Sequence, residues 1–368
     1  MISIQKIALQ ELEDFTSSTI FIDLKNKPIS KARVKSYLNN PRANKKDIVL
    51  YMAFLNKELV GYRTIWTDFF YIENKKESFG WLSGSWVHLR QRRKGISTLL
   101  FNEILKDWGS KLMYTNYAEA SKSLYDKTQN FCLLHRLEGT KYYVRFSFAD
   151  ILPKKKKLFN NIKVLWIIID WFLNLFLDLL NVFKYSLKEY NFYVKINEPW
   201  NDSIIEFTDN FVGINLFQRG IKEFNWIQKY PWVLSEKIYE EDSKLYYFSS
   251  FAKEFNSKIC TIYNNNNTLI GYLLLTIRDG HVKIPYAFFY KENTKEIVRF
   301  IINQCSEMHV KTIVIYNKVL ENEVENQLFF ITKKRFIQKY FITKELKKCF
   351  IKEQEIEVQP GDGDVVFT

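Results

Sequence analysis

The chain has 368 residues, 47% of them hydrophobic and 17% aromatic, which excludes a disordered or low-complexity protein and is enough to fill the cores of two domains. Lys and Arg total 54 against 41 Asp and Glu, a formal net charge of +13 that favours anionic partners, although Lys, Asn and Ile are abundant throughout and codon bias accounts for part of it. Cys132, Cys260, Cys305 and Cys349 are scattered without a Cys-x-x-Cys pair, which argues against a disulfide framework or a zinc ribbon and fits a reducing cytosol; the opening Met-Ile-Ser-Ile-Gln-Lys-Ile lacks the apolar core of a secretory signal.

In chain order, Ile2 and Ile4 alternate with polar neighbours as in an edge strand, and helical stretches are expected near 9–20 and, after Pro28, over Ser30–Leu38. Ile48–Leu55 and Leu59–Tyr71 read as strands joined by an Asn-Lys-Glu turn, with Gly61 early in the second. A polar loop returns the chain into a strand, Phe79–Val87. Beyond it stand His88, Arg90, Arg92, Arg93, Lys94 and Gly95, and from Ile96 the apolar residues Leu99, Leu100, Ile104 and Leu105 recur at helical spacing. This is a strand, a basic turn and a helix start. The first amides of a helix have no partner within it and its dipole is positive there, so a glycine-containing turn at this point can hold a phosphate with its N–H groups while the side chains add charge. Lys111–Tyr117 reads as the next strand, Glu119–Thr128 as a helix and Phe131–Phe146 as the last strands of this half.

Four lysines, Lys154–Lys157, precede an apolar segment from Leu158 to Phe183. At helical spacing Asn160, Lys163, Asp170, Asn174, Asp178 and Asn181 share an arc of about 80°, leaving the rest of the circumference apolar. Two mid-helix Asp residues argue against a membrane span. Two readings remain open: a linker helix packed between domains with its polar stripe facing water, or a helix lying in an anionic membrane interface with Trp166, Trp171 and the lysines as anchors. From 190 the earlier pattern recurs: strands over Phe192–Ile196, Lys258–Tyr263, Leu269–Ile277, Val282–Phe289, Thr312–Tyr316 and Phe336–Thr343, and helices over Ser203–Val212, Ile221–Gln228, Lys295–Met308 and Glu323–Ile331. The turn after Phe289, Tyr-Lys-Glu-Asn-Thr, has neither glycine nor arginine, so no phosphate cradle is expected there. Phe224–Val233 is unusually aromatic, as core or as a wall of an acceptor pocket. The closing Gly361-Asp-Gly-Asp lacks the remaining ligands of a calcium loop and reads as a tail that docks or frays.

The run Arg92-Arg93-Lys94-Gly95-Ile96-Ser97 after Val87 resembles the acetyl-CoA loop of the GNAT superfamily of N-acetyltransferases, with Ser97 where the family has Gly or Ala. Leu124-Tyr125-Asp126-Lys127, followed by Asn130-Phe131, resembles the family's Leu-Tyr-Glu-Lys-x-Gly-Phe, with one residue inserted and Asn130 in place of Gly. The resemblance implies an α/β (α+β) chain: a GNAT domain with a mixed central sheet over 1–150, a basic run and linker helix over 151–189, a degenerate GNAT-like domain over 190–350 and a tail over 351–368. It implies acetyl-CoA as co-substrate, bound by Val87, Arg92, Arg93, Lys94, Gly95, Ile96, Ser97 and Thr98. Ala118 stands where the family often has an Asn for the pantetheine, and Asn116 is a nearby substitute. It implies Tyr125 as general acid, or as a ring packed under the CoA arm. The general base stays open among His88, a water held by Ser83 or Ser85, and a residue of the second half. His135, His281 and His309 show no metal spacing, so no metal is expected.

The function this implies is acyl transfer to an amine, with a small-molecule amine or sugar acceptor. The chain is also similar in general look to transferases of bacterial surface-polysaccharide clusters. Rival readings are a Fem-like aminoacyl transferase, against which the intact CoA loop argues, a silent CoA-binding scaffold, and a nucleic-acid binder supported by charge alone; no nucleic-acid partner is expected. The expected place of work is the cytoplasm or the inner face of the membrane.

Overall fold

The computed structural model describes all residues except 73–74, 116–118, 186–190, 214, 236–244, 351–355 and 368. In chain order its elements are β1 (Ile2–Ala8), α1 (Leu12–Ser17), α2 (Thr19–Asp23), α3 (Lys31–Leu38), β2 (Ile48–Leu55), β3 (Glu58–Ile72), β4 (Lys75–Val87), α4 (Ile96–Asp107), β5 (Leu112–Thr115), α5 (Glu119–Thr128) and β6 (Phe131–Tyr143). Then come α6 (Phe148–Lys155), α7 (Lys163–Tyr185), β7 (Phe192–Ile196), α8 (Asp202–Val212), α9 (Ile221–Lys229), β8 (Leu234–Ser235), β9 (Phe251–Ala252), β10 (Phe255–Asn264), β11 (Leu269–Arg278) and β12 (His281–Phe289). The chain continues through α10 (Thr294–Glu307), β13 (Thr312–Ile315), α11 (Lys318–Gln327), β14 (Thr332–Thr343) and α12 (Lys344–Lys347). The mixed α/β architecture and the repeated element order are those expected. The single helix expected near 9–20 is broken at Ser18, whose hydroxyl accepts from the Phe21 amide and so starts α2 afresh.

The chain forms two compact units that interleave in sequence rather than following one another as boundaries at 150 and 190 would have it. One comprises Met1–Leu137, Ile205–Phe255 and Gln338–Thr368, the other Glu138–Ile204 and Asn256–Ile337. In the first, β1 to β4 are antiparallel neighbours, β5 joins β4 in parallel, and the far edge of β5 pairs with Tyr340–Ile342 of β14. In the second, Thr140–Tyr143 of β6 pair with β13, followed by β12, β11, β10 and β7. Each unit therefore includes a strand from a distant part of the sequence. The Phe131–Phe146 stretch, expected to complete the first half, is one strand that ends in the second unit's sheet.

One glycine contact recurs in both units. A Cβ on Gly61 of β3 would meet Ile96 Cγ2 at 2.8 Å, and one on Gly271 of β11 would meet Ile297 Cδ1 at 2.3 Å. In each unit the helix after the strand hairpin lies directly on a glycine of the middle strand, which is how α4 is brought close to β3.

Behind the first sheet runs a buried ionic cluster. Asp68 of β3 accepts from Arg42 at 3.0 Å, from Arg219 at 2.6 Å and from Trp81 Nε1 at 2.8 Å, while Arg219 also holds Asp362 at 3.0 Å and Arg42 holds Glu223 at 2.8 Å. Against the opposing effect of burial, Arg219 and Arg42 keep the Asp68 carboxyl below its ordinary range. Burial pushes Asp362 up, in spite of Arg219. Two guanidiniums here face three carboxylates, and Asp362 is the surplus one. Asp68→Asn should therefore cost about 3–5 kcal/mol, since it takes from both buried guanidiniums the carboxylate they share, whereas Asp362→Asn should stay within about 1 kcal/mol of the parent at neutral pH. Because the folded pKa of Asp362 is raised, its favourable contribution is present below its unfolded pKa and lost as pH rises through the folded one. The parent should accordingly gain on the Asn variant as pH falls through that window. Urea unfolding of both variants against pH measures this, and equal losses for the two would contradict the assignment.

Candidate active site

The site begins where β4 leaves β5. The strands pair in parallel at Gly80↔Leu112 and Trp81↔Met113; β4 then runs on through Val87 beside β3, with no further β5 pairing among the described residues. Within that stretch Gly84 is the extra residue of a bulge: Arg63 pairs with Ser85 and Thr64 with Ser83, and Gly84 lies between them at φ +69°. The Thr64 hydroxyl closes the bulge on the Ser83 carbonyl. A Cβ at Gly84 would sit 2.6 Å from Thr64 Oγ1 and 3.1 Å from Arg33 Nη1, so only glycine fits.

At the exit of β4 the basic turn takes up its expected shape. Gly95 is the N-cap of α4 at φ +80°, and nothing lies within 4 Å of where its Cβ would be, so the backbone faces open space. Arg93, too, has positive φ, at 63°. Arg92, Arg93 and Lys94 are exposed, Arg92 Nε donates to the Val87 carbonyl at 3.3 Å, and Lys94 is steadied by Gln91 at 3.0 Å. The first intrahelical bond runs from the Leu99 amide to the Gly95 carbonyl, leaving the amides of Ile96, Ser97 and Thr98 at the positive end of the helix.

Ser97 connects this turn to Tyr125. Arg63 of β3 donates from Nη2 to Ser97 Oγ and from Nη1 to Tyr125 Oη, both at 3.2 Å. Arg63 is 2% exposed, and among the described residues its Nε has no partner and no carboxylate forms an ion pair with it. Tyr125 stacks on Tyr114 of β5, ring centroids 4.4 Å apart, and is walled by Phe101 and Phe131. Because Arg63 donates to the phenol oxygen, the phenol's own hydrogen is directed to another acceptor.

Leu82 and Tyr114 belong to the core under α4, so by strand alternation Ser83 and Thr115 lie on the opposite face of the sheet. There the segment after Gly361 enters. Asp364 accepts from Ser83 Oγ at 2.6 Å and from Thr115 Oγ1 at 3.2 Å, joining the two diverging strands. Gly363 makes the approach feasible, since a Cβ on it would meet Thr115 Cγ2 at 2.8 Å. Arg33 holds Ser83 from the other side at 2.8 Å, also bonds Tyr37 and Tyr246, and lies over the ring of Trp232 at 4.0 Å. Phe367 stacks on Trp232 at 4.7 Å and fixes the segment's far end. Of the aromatic stretch Phe224–Val233, Phe224, Trp226, Ile227, Trp232 and Val233 are buried, and Trp232 also backs Arg33.

The structure links Val87, the turn Arg92–Thr98 and Tyr125, through Arg92 on the Val87 carbonyl and Arg63 between Ser97 and Tyr125. His88 is turned elsewhere: its Nδ1 accepts the Arg90 amide at 3.3 Å, and its ring packs edge-on against Trp86, on the face opposite Val87. A neutral imidazole with Nδ1 so engaged carries its proton on Nε2, which leaves no lone pair for an acceptor. Asn116 lies outside the described residues. Arg63 and Asp364 were missed from sequence; the only signals were a lone arginine in an apolar strand and the Gly-Asp-Gly-Asp run. Among the described residues no cluster of His, Cys, Asp and Glu is arranged to hold a metal ion.

The second unit lacks this chemistry. Gly271 and Phe289 pair as Gly61 and Val87 do, which puts buried Leu273 at the place of Arg63. The turn before α10 is closed by Asn293 at φ −93°, with no left-handed residue.

A family model described as the acetyltransferase (GNAT) family matches residues 12–131. Among solved structures, a conserved protein of unknown function from Enterococcus faecalis V583, described as a probable N-acyltransferase, superposes with a TM-score of 0.52 at 10% identity over 94% of this chain and 74% of that one. A GCN5-related N-acetyltransferase from Anabaena variabilis ATCC 29413 superposes with a TM-score of 0.50 at 8% identity over 93% of this chain and 72% of that one. At such identities the likeness speaks to the fold alone. No curated protein matches the chain in sequence. The glycine turn, the parted strands and the family match on the same residues lead to one conclusion: residues 12–131 form an acyltransferase domain of the GNAT family, and the element order of that part recurs later in the chain.

Proposed function

We propose that the chain transfers an acetyl group from acetyl-CoA to the amine of a small acceptor, an amino sugar or sugar precursor of a surface polysaccharide, in the cytoplasm at the inner face of the membrane. The observation that carries the reading is the parting of β4 from β5 between two sets of functional groups, with Gly95, Arg63 and Tyr125 on the α4 side and Asp364 on the other. The residues suit the donor: an open left-handed glycine, free helix-start amides and three exposed cations fit a pyrophosphate. Bound acetyl-CoA supplies an acyl group already activated as a thioester.

The chain's own groups then divide the work. Asp364 uses two of its roughly four lone-pair sites on the Ser83 and Thr115 hydroxyls and keeps the others for an acceptor proton. It takes the proton from the acceptor nitrogen as the N–C bond forms. Tyr125, oriented by Arg63, gives its proton to the departing sulfur as the C–S bond breaks, and Arg63 beside it offsets the negative charge arising there. Approach from one face and departure on the other lets donor and acceptor occupy the gap together.

A thiol-release assay with acetyl-CoA against amino sugars, nucleotide sugars, amino acids and polyamines tests the function; CoA release with none of them would count against it. Gly95→Asp should weaken acetyl-CoA binding at least tenfold, about 1.4 kcal/mol, by calorimetry on folded protein. Unchanged binding would reject the loop. Tyr125→Phe and Asp364→Asn should each lower kcat by about 10²-fold or more while acetyl-CoA binding is nearly kept. A Phe variant turning over at the parental rate would reduce Tyr125 to packing, and an Asn variant doing so would reduce Asp364 to a structural tie.

A further inference from the structure

Three members of the polar stripe of α7, Asp170, Asn174 and Asp178, are turned onto protein. Asp170 accepts from the Phe148 and Ala149 amides at 2.8 and 2.9 Å, Asn174 exchanges bonds with the Phe146 amide and carbonyl, and Asp178 forms a two-oxygen pair with Arg145 at 2.6 and 3.0 Å. Every one of these groups is spent on residues 145–149, the turn into α6, within the same compact unit. The expectation of a packed linker with its stripe in solvent is reversed. What faces outward is apolar: Leu165, Ile168, Trp171, Phe172, Phe176 and Leu179 are all exposed, Trp171 and Phe172 at 65% each. This face continues back through Ile162 and Leu158 to a collar of exposed lysines, Lys154–Lys157, with Lys163 beside them.

We propose that the outer face of α7 seats in the interface of an anionic lipid bilayer, with the helix lying in the membrane plane and the five lysines against the headgroups. Three features select this occupant. An outward face this long and continuous is unstable in water and needs a cover. The cations gather beside it, where they complement anionic headgroups. Trp171 presents an amphipathic ring at the place where interfacial helices carry one.

The helix is long and apolar enough by composition to cross a membrane, with mean hydropathy 1.7 over Lys163–Asn181. The inward bonds decide against that. A crossing would carry Asp170, Asn174 and Asp178, and the amides and guanidinium they hold, into hydrocarbon, whereas an in-plane helix keeps this side on protein and gives only the other to lipid.

The test is flotation of the full-length protein with phosphatidylcholine vesicles made with and without phosphatidylglycerol. Expected is flotation with the anionic vesicles, weaker with the neutral ones and reduced by high salt. The triple variant Trp171→Ser, Phe172→Ser, Phe176→Ser should lower partitioning at least tenfold, as should replacing Lys154–Lys157 by Gln. All these side chains are exposed, so the variants should keep the parental thermal midpoint, and thiol release from acetyl-CoA, measured without lipid, reports separately on the acyltransferase reading. The proposal is overturned if the parent stays at the bottom with both vesicles, if the triple variant floats like the parent, or if the lipid-free parent is a dimer that the triple variant dissociates, in which case a second copy covers the face.

Discussion

Asp68 lies in the middle of β3 without access to water, and the first unit is assembled around it. Its oxygens are divided between Arg42, Arg219 and the Trp81 indole, and each arginine then reaches a different part of the chain. Arg42 takes Glu223 and the carbonyls of Phe217 and Gln218, tying down the segment that begins at Ile205; Arg219 takes Asp362 and with it the closing segment. A buried carboxylate needs such partners, since an unpaired charge at this depth would cost several kcal/mol, a large share of a domain's total stability of about 5–15 kcal/mol. The site inherits its geometry from this requirement. With Asp362 fixed on Arg219, the next two residues are placed beside Thr115 and Ser83.

The second constraint is the change of pairing at β4, which is antiparallel to β3 along its length but parallel to β5 for only two residue pairs. Gly84 adds a residue to β4 just past the last shared pair, and a bulge raises the local twist, so β4 follows β3 away from β5. Backbone groups on the released edge then need other partners. Arg92 takes the Val87 carbonyl, and the Asp364 carboxylate spans the gap by way of two hydroxyls rather than backbone. A gap bridged only by side chains can be entered. That is why acid and base candidates can meet it from opposite faces without touching each other.

Much of this was legible in the sequence, and the divisions are physical. Gly95 with its cations, the apolar spacing from Ile96 and the strand ending at Val87 are local signals, and each resides where the spacing predicts. Tyr125 was legible because its helix carries a recognisable run. Arg63 and Asp364 were not, for the same reason in both cases: their meaning depends on neighbours far away in sequence, Ser97 and Tyr125 for the first, Ser83 and Thr115 for the second. The exchange of terminal strands was hidden too, because Phe131–Tyr143 and Thr332–Thr343 read as ordinary strands wherever they pair. The outward apolar face of α7 was half legible. Its stripe follows from spacing, but a stripe of Asp and Asn normally means water, and only Arg145 and the amides of 146, 148 and 149 turn it inward.

The two units together set Arg63 apart. Their scaffolds agree in detail: a helix seated on a glycine of the middle strand, the same pairing of that glycine with the end of the next strand, and a one-residue irregularity in the hairpin, at Arg63/Thr64 in one and Leu274/Thr276 in the other. They differ in charge. Where the first unit buries a guanidinium without an ion-pair partner among the described residues, the second buries Leu273 in an apolar core that includes Ile297 and Ile301. Replacing buried ions by apolar residues of similar size is commonly neutral or stabilising, so the packing of this fold alone would prefer the leucine at either place. An arginine kept there, between the first turn of the glycine-capped helix and the phenol of Tyr125, is a cost to the folded domain, and the negative charge developing in the proposed acyl transfer would offset it.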